Sequence, residues 1–275
     1  MTGIAPKGYE GYETLAFERS RNGVLIIRMN RPEVLNAMTF RMHTELARVW
    51  QDVANDARTN VAVVTGAGRG FSSGNDQKQP AADYAQRLRT MNESREIVYG
   101  MLGLEKPIVA AINGVAVGAG LAVGLLADVS VVADDARLID GHTRLGVAAG
   151  DHACLLWPMM CGMAKAKWYL YSNEPLLGKE AERIGLVTES VPTDQVLPRA
   201  LQMAEQLSRG SQQAIGWTKR SINGWYKMAY PVFEQSLAAE FLGIMAGEDV
   251  HEARKSFREK RPPVFPSSAA AFDSD

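Results

Sequence analysis

The chain has 275 residues, of which 46% are apolar and 22% charged, as is usual for a folded globular protein. Its net charge of −1 argues against binding nucleic acid or an anionic membrane through a basic surface. Two cysteines are too few for a disulfide framework, and the first residues do not resemble a secretory leader. We therefore expect a reduced, cytoplasmic protein that does not span a membrane.

Hydrophobic patterning predicts alternating strands and helices at first, and then mostly helices. Strands are expected at 12–20, 23–30, 61–65, 107–115, 129–133, 137–139 and 186–191. Helices are expected at 39–54, 84–104, 118–127, 155–171 and 178–184, and from 195 to 260 with a break near Pro231. This order predicts an α/β fold with a helical C-terminal part.

Two glycine-rich segments follow predicted strands. Gly70-Phe-Ser72-Ser-Gly74 matches the GxSxG pattern of a serine-hydrolase nucleophile elbow, but a polar segment stands where the elbow needs a helix. The same region fails the dinucleotide-binding fingerprint, because Phe71 stands where the third glycine belongs. We favour a loop whose small residues expose backbone amides. The second segment, Asn113–Gly120, opens a helix whose free N–H groups favour an anion, although close packing explains its glycines equally well.

Six short segments form a specific sequence pattern when they are taken together and in their order along the chain. They are Asn30-Arg-Pro-Glu-Val-Leu-Asn36-Ala37-Met, Phe71-Ser-Ser-Gly74-Asn75-Asp76, Lys106-Pro107-Ile-Val-Ala-Ala-Ile-Asn113-Gly114, Ala127-Asp128, Gly185-Leu186-Val187 and Phe257-Arg-Glu-Lys260-Arg261-Pro262. Over about residues 12–265 they resemble the crotonase (enoyl-CoA hydratase/isomerase) superfamily. The resemblance implies a spiral of ββα turns over 1–200, a helical trimerisation region over 201–265 and a disordered tail over 266–275, assembled as a trimer or a dimer of trimers.

The resemblance also implies a set of substrate-binding residues. Two backbone N–H groups, which it places at Asn75 and Ala119, would form an oxyanion hole that stabilises the charge of an enolate. The superfamily uses no catalytic cofactor but binds coenzyme A as part of its substrate. The residues that match its coenzyme A groove are Arg31, Ala37, Ser73, Asp76 and Lys260. The alternative for the basic side chains among them is a solvated surface charge.

The sequence departs from a hydratase at the positions of the two catalytic glutamates. These positions fall on Ala122 and His142, and alanine cannot transfer a proton. Hydration by a pair of glutamates is therefore not expected. A neutral imidazole oriented by a carboxylate is a good general base near pH 7, so the candidate base is His142, held by Asp151. The alternative is that His142 is a hydrogen-bonded polar residue in a degenerate site.

The segment that contains His142 and Asp151 resembles one branch of the superfamily, the 6-oxocamphor hydrolase type of β-diketone hydrolase. Its catalytic residues match His142, Asp151, His43 and Glu240, whereas its histidine in the glycine turn is missing here. We therefore predict hydrolytic, retro-Claisen cleavage of a β-diketone or a β-keto CoA thioester, without a metal. His142 would deprotonate water, and His43 or Glu240 would orient the ketone or reprotonate carbon. His152 is either a second base or a side chain at the mouth of the site.

Two alternatives remain open. The first is an enoyl-CoA hydratase or isomerase with non-standard catalytic residues, because isomerisation needs only one base. The second is a non-catalytic member that binds acyl-CoA.

Overall fold

A computed structural model describes residues 6–76, 78–79 and 82–269. Its strands are β1 Leu15–Arg19, β2 Val24–Met29, β3 Val61–Gly66, β4 Ile108–Ile112, β5 Ala116–Val117, β6 Val129–Ala133, β7 Arg137–Ile139, β8 Leu176–Leu177 and β9 Glu189–Val191. Its helices are α1 Phe40–Asn55, α2 Tyr84–Gly103, α3 Ala119–Leu125, α4 Ala153–Cys161, α5 Met163–Ser172, α6 Gly178–Arg183, α7 Val196–Ser208, α8 Gln212–Ile222, α9 Gly224–Met228, α10 Tyr230–Ala246 and α11 Glu248–Glu259. The predicted α/β order with a helical C-terminal part is confirmed.

The main sheet has six strands in the order β1-β2-β3-β4-β6-β9. β1 and β2 form the predicted hairpin, and every later neighbour is parallel. β3 and β4 are buried along their whole length, which is why they appear in the sequence as continuous apolar runs. A smaller sheet of β5, β7 and β8 lies beside α3 and completes the spiral.

Helices α1 and α2 pack against each other and bring together residues that are far apart in the sequence. Each begins at a side-chain cap: Thr39 accepts a hydrogen bond from the Met42 N–H, and Asp83 accepts one from the Gln86 N–H. The buried face of α1 contains His43 among apolar residues. This packing places His43 beside α2.

The structure divides two of the predicted helical stretches. From 195 to 260 it has three further breaks, between α7 and α8, between α8 and α9, and between α10 and α11. The helix predicted at 155–171 is two helices, α4 and α5, separated by Gly162 at φ 79° and ψ 155°. Apolar residues continue across the break, so periodicity does not reveal it. The predicted break near Pro231 is confirmed, because α10 begins at Tyr230 and places that proline in its first turn.

The C-terminal helices continue from the spiral without a gap. The boundary placed at residue 200 falls inside α7, which packs on β3, β4 and β6. At the start of the predicted tail, Ser267 donates hydrogen bonds to both carboxylate oxygens of Asp249, whereas residues 270–275 lie outside the described part. Among the described residues, no helix combines the length and apolarity needed to cross a bilayer.

Candidate active site

Three chain segments meet at one place: the loop after β3, the turn before α3 and the end of β7. A methyl group on Gly74 would lie 3.2 Å from Val117 Cγ1, and one on Gly120 would lie 2.4 Å from the Ser72 side chain. The Gly118 N–H donates a 3.0 Å hydrogen bond to the carbonyl of Ile139, at the end of β7. The glycines therefore serve close packing, and this packing brings the two glycine-rich segments together.

The two expected oxyanion donors lie on these segments. Asn75 directly follows Gly74, and Ala119 is the first residue of α3. The first N–H groups of a helix have no acceptor within it, and the Ala119 N–H has none elsewhere among the described residues. Gly118 enters the helix at φ 50°, a conformation that favours glycine. The convergence of the two N–H groups on one oxygen remains a prediction.

Ser72 has a structural role in the same loop. Its side chain is fully buried, and its Oγ donates a 2.9 Å hydrogen bond to the carbonyl of Asn36. A nucleophile would instead present this oxygen to a base and a substrate. The geometry therefore favours the loop interpretation over a nucleophile elbow.

Four of the five residues matched to the coenzyme A groove lie around this loop. The Arg31 guanidinium donates to the carbonyl of Ala37 at 2.6 Å and to the carboxylate of Asp76 at 2.8 Å. The Lys78 N–H and the Arg31 guanidinium lower the pKa of Asp76 below its usual value. Ser73 joins the group through its N–H, which donates to the carbonyl of Leu35 at 2.9 Å. Much of the Arg31 charge is thus used to hold the loop in place.

Lys260, the fifth of these residues, lies apart in the chain. It follows α11 in the left-handed conformation, at φ 54°, and its side chain is exposed. Within the described part of the chain, no hydrogen bond or ion pair connects it to the loop. Its role in binding coenzyme A remains a prediction.

A buried cluster of histidines and carboxylates lies next to the glycine turn. A methyl group on Gly118 would lie 3.5 Å from the carbonyl oxygen of Asp140, which is part of the cluster. The cluster takes residues from the segment after β7, from the beginning of α4 and from α10, and each is at most 8% exposed: Asp140, His142, Asp151, His152 and Glu240. Three of the four predicted catalytic side chains are thereby brought together.

His142 lies at the centre of this cluster. Its Nδ1 is 3.0 Å from Asp140 Oδ2, and its Nε2 is 3.8 Å from Asp151 Oδ1 and 3.7 Å from Glu240 Oε1. This corrects the expectation that Asp151 holds His142, because Asp140 makes the hydrogen bond that orients the ring. Gly141, at φ 89°, turns the chain so that the aspartate reaches back to the ring two residues later.

The other two histidines near the site each have a carboxylate partner. His152 Nδ1 lies 2.5 Å from Asp151 Oδ1, and its side chain is fully buried, which excludes a place at the mouth of the site. His43 Nδ1 lies 3.0 Å from Glu93 Oε2. Sequence reasoning missed Asp140 and Glu93; the short Asp-Gly-His spacing could have indicated the first, and nothing local indicates the second.

The charges in the cluster determine where its protons are held. Burial lowers the pKa of His142, but Asp140, Asp151 and Glu240 outweigh it and raise this pKa well above its ordinary value. Burial raises the pKa of Glu240 to about 8, although the positive charge of His142 opposes it. Burial also disfavours ionised Asp151, but the two neighbouring histidines lower its pKa below the usual range. The carboxylates therefore favour a proton on His142, and burial favours one on Glu240, so the pair of His142 and Glu240 is where the cluster can take up or release a proton.

Three buried polar atoms of the cluster have no hydrogen-bond partner among the described residues: Asp140 Oδ1, His152 Nε2 and Glu240 Oε2. Leaving such an atom unpaired costs about 1–3 kcal/mol, so each is a place for a water molecule or a polar substrate group. The atoms of Asp140, Asp151 and His152 that could ligate a metal ion also lie within 4.8 Å of one another, a spacing that could hold such an ion. Imidazole nitrogens of His142 and His152 lie within hydrogen-bond distance of Asp140 and Asp151, so the cluster is also a place where protons can be shared.

None of the titratable groups in this cluster comes from α3. Helix α3, which contains Ala122, is built only of apolar residues and glycine from Ala119 to Leu125. The side of the site that α3 forms therefore offers no side chain that can transfer a proton.

The chain is similar to known proteins over most of its length. A family model described as enoyl-CoA hydratase/isomerase matches residues 19–268. A probable enoyl-CoA hydratase of Mycobacterium bovis is 32% identical over 272 residues, covering 94% of this chain and 95% of the relative. The 2,3-dehydroadipyl-CoA hydratase of Escherichia coli is 32% identical over 246 residues, covering 88% and 94%.

A solved structure is also similar over most of this chain. The enoyl-CoA hydratase/isomerase from Mycobacterium paratuberculosis superposes with a TM-score of 0.84 at 32% identity, covering 90% of this chain and all of the other. The family match spans most of the chain, including the glycine turn and the histidine cluster. The protein is therefore an enzyme of the enoyl-CoA hydratase/isomerase family, the crotonase superfamily, and has its α/β fold with a helical C-terminal region.

Proposed function

We propose that this enzyme moves a double bond within an acyl-CoA thioester, as an enoyl-CoA isomerase. The observation that carries the proposal is that the proton-transfer groups come from the His142 cluster and none comes from α3. His142 Nε2 and Glu240 Oε1 lie 3.7 Å apart, whereas α3 contributes no titratable side chain. Hydration needs two groups, one to activate water and one to protonate carbon, but isomerisation needs only one group that takes and returns a proton.

The reaction begins when the pair of His142 and Glu240, which holds one proton between its two members, takes a second proton from C2 of a 3-enoyl-CoA. The thioester oxygen becomes an enolate oxygen and is held by the N–H groups of Asn75 and Ala119. The same proton is then returned at C4, which yields the 2-enoyl-CoA. His142 and Glu240 act as one proton-sharing pair, with His142 oriented by Asp140 through its Nδ1. Coenzyme A enters only as part of the substrate, and no other cofactor is required.

A spectrophotometric assay with 3-hexenoyl-CoA and crotonyl-CoA tests this proposal. We expect isomerisation of the first and little hydration of the second. His142→Gln should abolish isomerisation, whereas His251→Gln on the exposed side of α11 should not change it. Rapid hydration of crotonyl-CoA, or full isomerisation by the His142 variant, would contradict the proposal.

Retro-Claisen hydrolysis is the second candidate. It is favoured by the presence, in one buried cluster, of the histidine, aspartate and glutamate that resemble the β-diketone hydrolase branch. However, this reaction needs one group to activate water and a second to protonate the departing carbon, and α3 offers no titratable side chain for a second role. A cyclic β-diketone in the same assay separates the two reactions, because only hydrolysis produces a new carboxylic acid.

We further propose that the chain assembles through its C-terminal helices, as a trimer or a dimer of trimers. Trp217, Trp225 and Met228 on α8 and α9 each expose more than half of their surface. Exposed apolar side chains in such a group mark a protein–protein contact. Light scattering on the purified protein should give a mass three or six times that of the chain, and a monomer would contradict this. A cytoplasmic location remains an expectation.

A further inference from the structure

One oxygen of Asp151 has two imidazole neighbours. Its Oδ1 lies 2.5 Å from Nδ1 of His152 but 3.8 Å from Nε2 of His142. Only the first distance is a hydrogen bond. His152 therefore determines where this carboxylate points, although Asp151 would pair more strongly with the imidazolium of His142 if it moved closer.

His152 is fixed in position by its surroundings. It lies directly before α4, and its carbonyl accepts hydrogen bonds from the N–H groups of Leu155 and Leu156. Its side chain is fully buried, and among the described residues its ring has one polar contact, with Asp151. A ring held in this way is suited to positioning a neighbour rather than to moving with a substrate.

We propose that His152 is a positioning residue that keeps Asp151 from closing a tight ion pair with His142, so that His142 Nε2 is left for the substrate. This proposal rests on the assignment of His142 as a proton-transfer group. The other charged groups around Asp151 do not replace His152. Glu240 approaches the same nitrogen of His142, Asp140 binds the opposite side of the ring, and His43 acts on Asp151 only through its charge.

The direction in which the pKa of His142 moves when His152 is replaced distinguishes a positioning role of His152 from simple space filling. Without the His152 N–H, Asp151 Oδ1 has His142 Nε2 as its nearest remaining donor in the cluster. The carboxylate should then close on His142 and stabilise its imidazolium, which raises the pKa of His142. If His152 only filled space, its replacement would lower stability without moving this pKa.

Imidazole nitrogen NMR measures the shift without any substrate, since the chain has only four histidines. We expect His152→Leu to raise the titration midpoint of His142 by about one pH unit. His152→Asn keeps an N–H near the position of Nδ1 and should restore the wild-type midpoint. His251→Leu, an exposed position on α11, is the matched control and should leave the midpoint unchanged. An unchanged or lower midpoint in His152→Leu would overturn the proposal.

Two further measurements remain decisive if the leucine variant does not fold. The wild-type protein should show a downfield exchangeable imidazole proton from the His152–Asp151 hydrogen bond, which Asp151→Asn removes; a wild-type spectrum without it overturns the proposal. In the 3-hexenoyl-CoA assay, His152→Asn should keep kcat within about threefold of wild type, whereas His152→Gln, whose donor lies farther out, should lower kcat about tenfold with little change in KM. Equal kcat values for these two variants would also overturn it. Because the NMR readouts need no turnover, failure of the isomerase assignment does not obscure their result.

Discussion

Replacing Ala119 with proline removes one N–H from the glycine turn while leaving the chain able to begin α3. Proline is well tolerated at the first position of a helix, where its missing N–H has no helical acceptor in any case. Ala119 holds that position, and its N–H has no partner among the described residues. The residue before a proline is restricted partly through its own Cβ, and Gly118 has none.

The size of the effect follows from what the N–H does in the reaction. Loss of one oxyanion donor raises the barrier by about 3 kcal/mol, which corresponds to a 10²–10³-fold lower kcat. Among the described residues the substitution breaks no native hydrogen bond, so we expect the free energy of unfolding to change by less than about 1 kcal/mol. The two quantities therefore separate a catalytic effect from a folding effect.

The assay compares kcat for 3-hexenoyl-CoA and the urea-unfolding curve of the wild type, Ala119→Pro and Ala119→Ser. The serine variant keeps the N–H and should retain activity within about threefold of wild type. A proline variant that is folded and equally active would refute the assignment of this N–H to the oxyanion hole.

Three further results are expected. Asp140→Asn removes the carboxylate nearest to His142 Nδ1 and should lower its pKa, so that the pH–rate profile moves to lower pH by about one unit or more; an unmoved profile would count against the role of Asp140. Burial raises the pKa of Glu240 to about 8 in the folded protein, against 4.5 in the unfolded chain. Between these values Glu240 loses its proton only in the unfolded chain, so the stability of the wild type falls as the pH rises through this interval. Urea unfolding at pH 5 and pH 9 should show a smaller decrease for Glu240→Gln, and an identical decrease would refute the shift. Gly120→Ala places a methyl group 2.4 Å from the Ser72 side chain and should cost about 1–3 kcal/mol of stability, which a thermal melt would show; an unchanged Tm would mean that the loop can yield.

The sequence predicts an element well where one local signal dominates. β3 and β4 are continuous apolar runs that are buried on both faces, and α1 begins directly after its capping residue Thr39. The break at Gly162 could not be predicted in this way, since the apolar residues on both sides maintain the pattern and the glycine changes only the backbone angles.

The residues of the candidate site likewise divide into those that the sequence could predict and those that it could not. Resemblance to the family identified His142, Asp151 and Glu240, and the structure brings these three into one cluster. The partner of His43 could not be predicted, because Glu93 lies 50 residues away and meets it only through the packing of two helices. The protonation of His142 depends on carboxylates from three separate elements, and no local pattern in the sequence contains that information.

Glu240 belongs to α10, late in the chain, whereas His142 belongs to the spiral that precedes it. During synthesis the spiral therefore leaves the ribosome with its imidazole but without one of the carboxylates that control its charge. The nascent protein should therefore be inactive until α10 packs against the spiral and brings Glu240 to His142. Substitutions that loosen this docking would then reduce activity before they unfold the sheet.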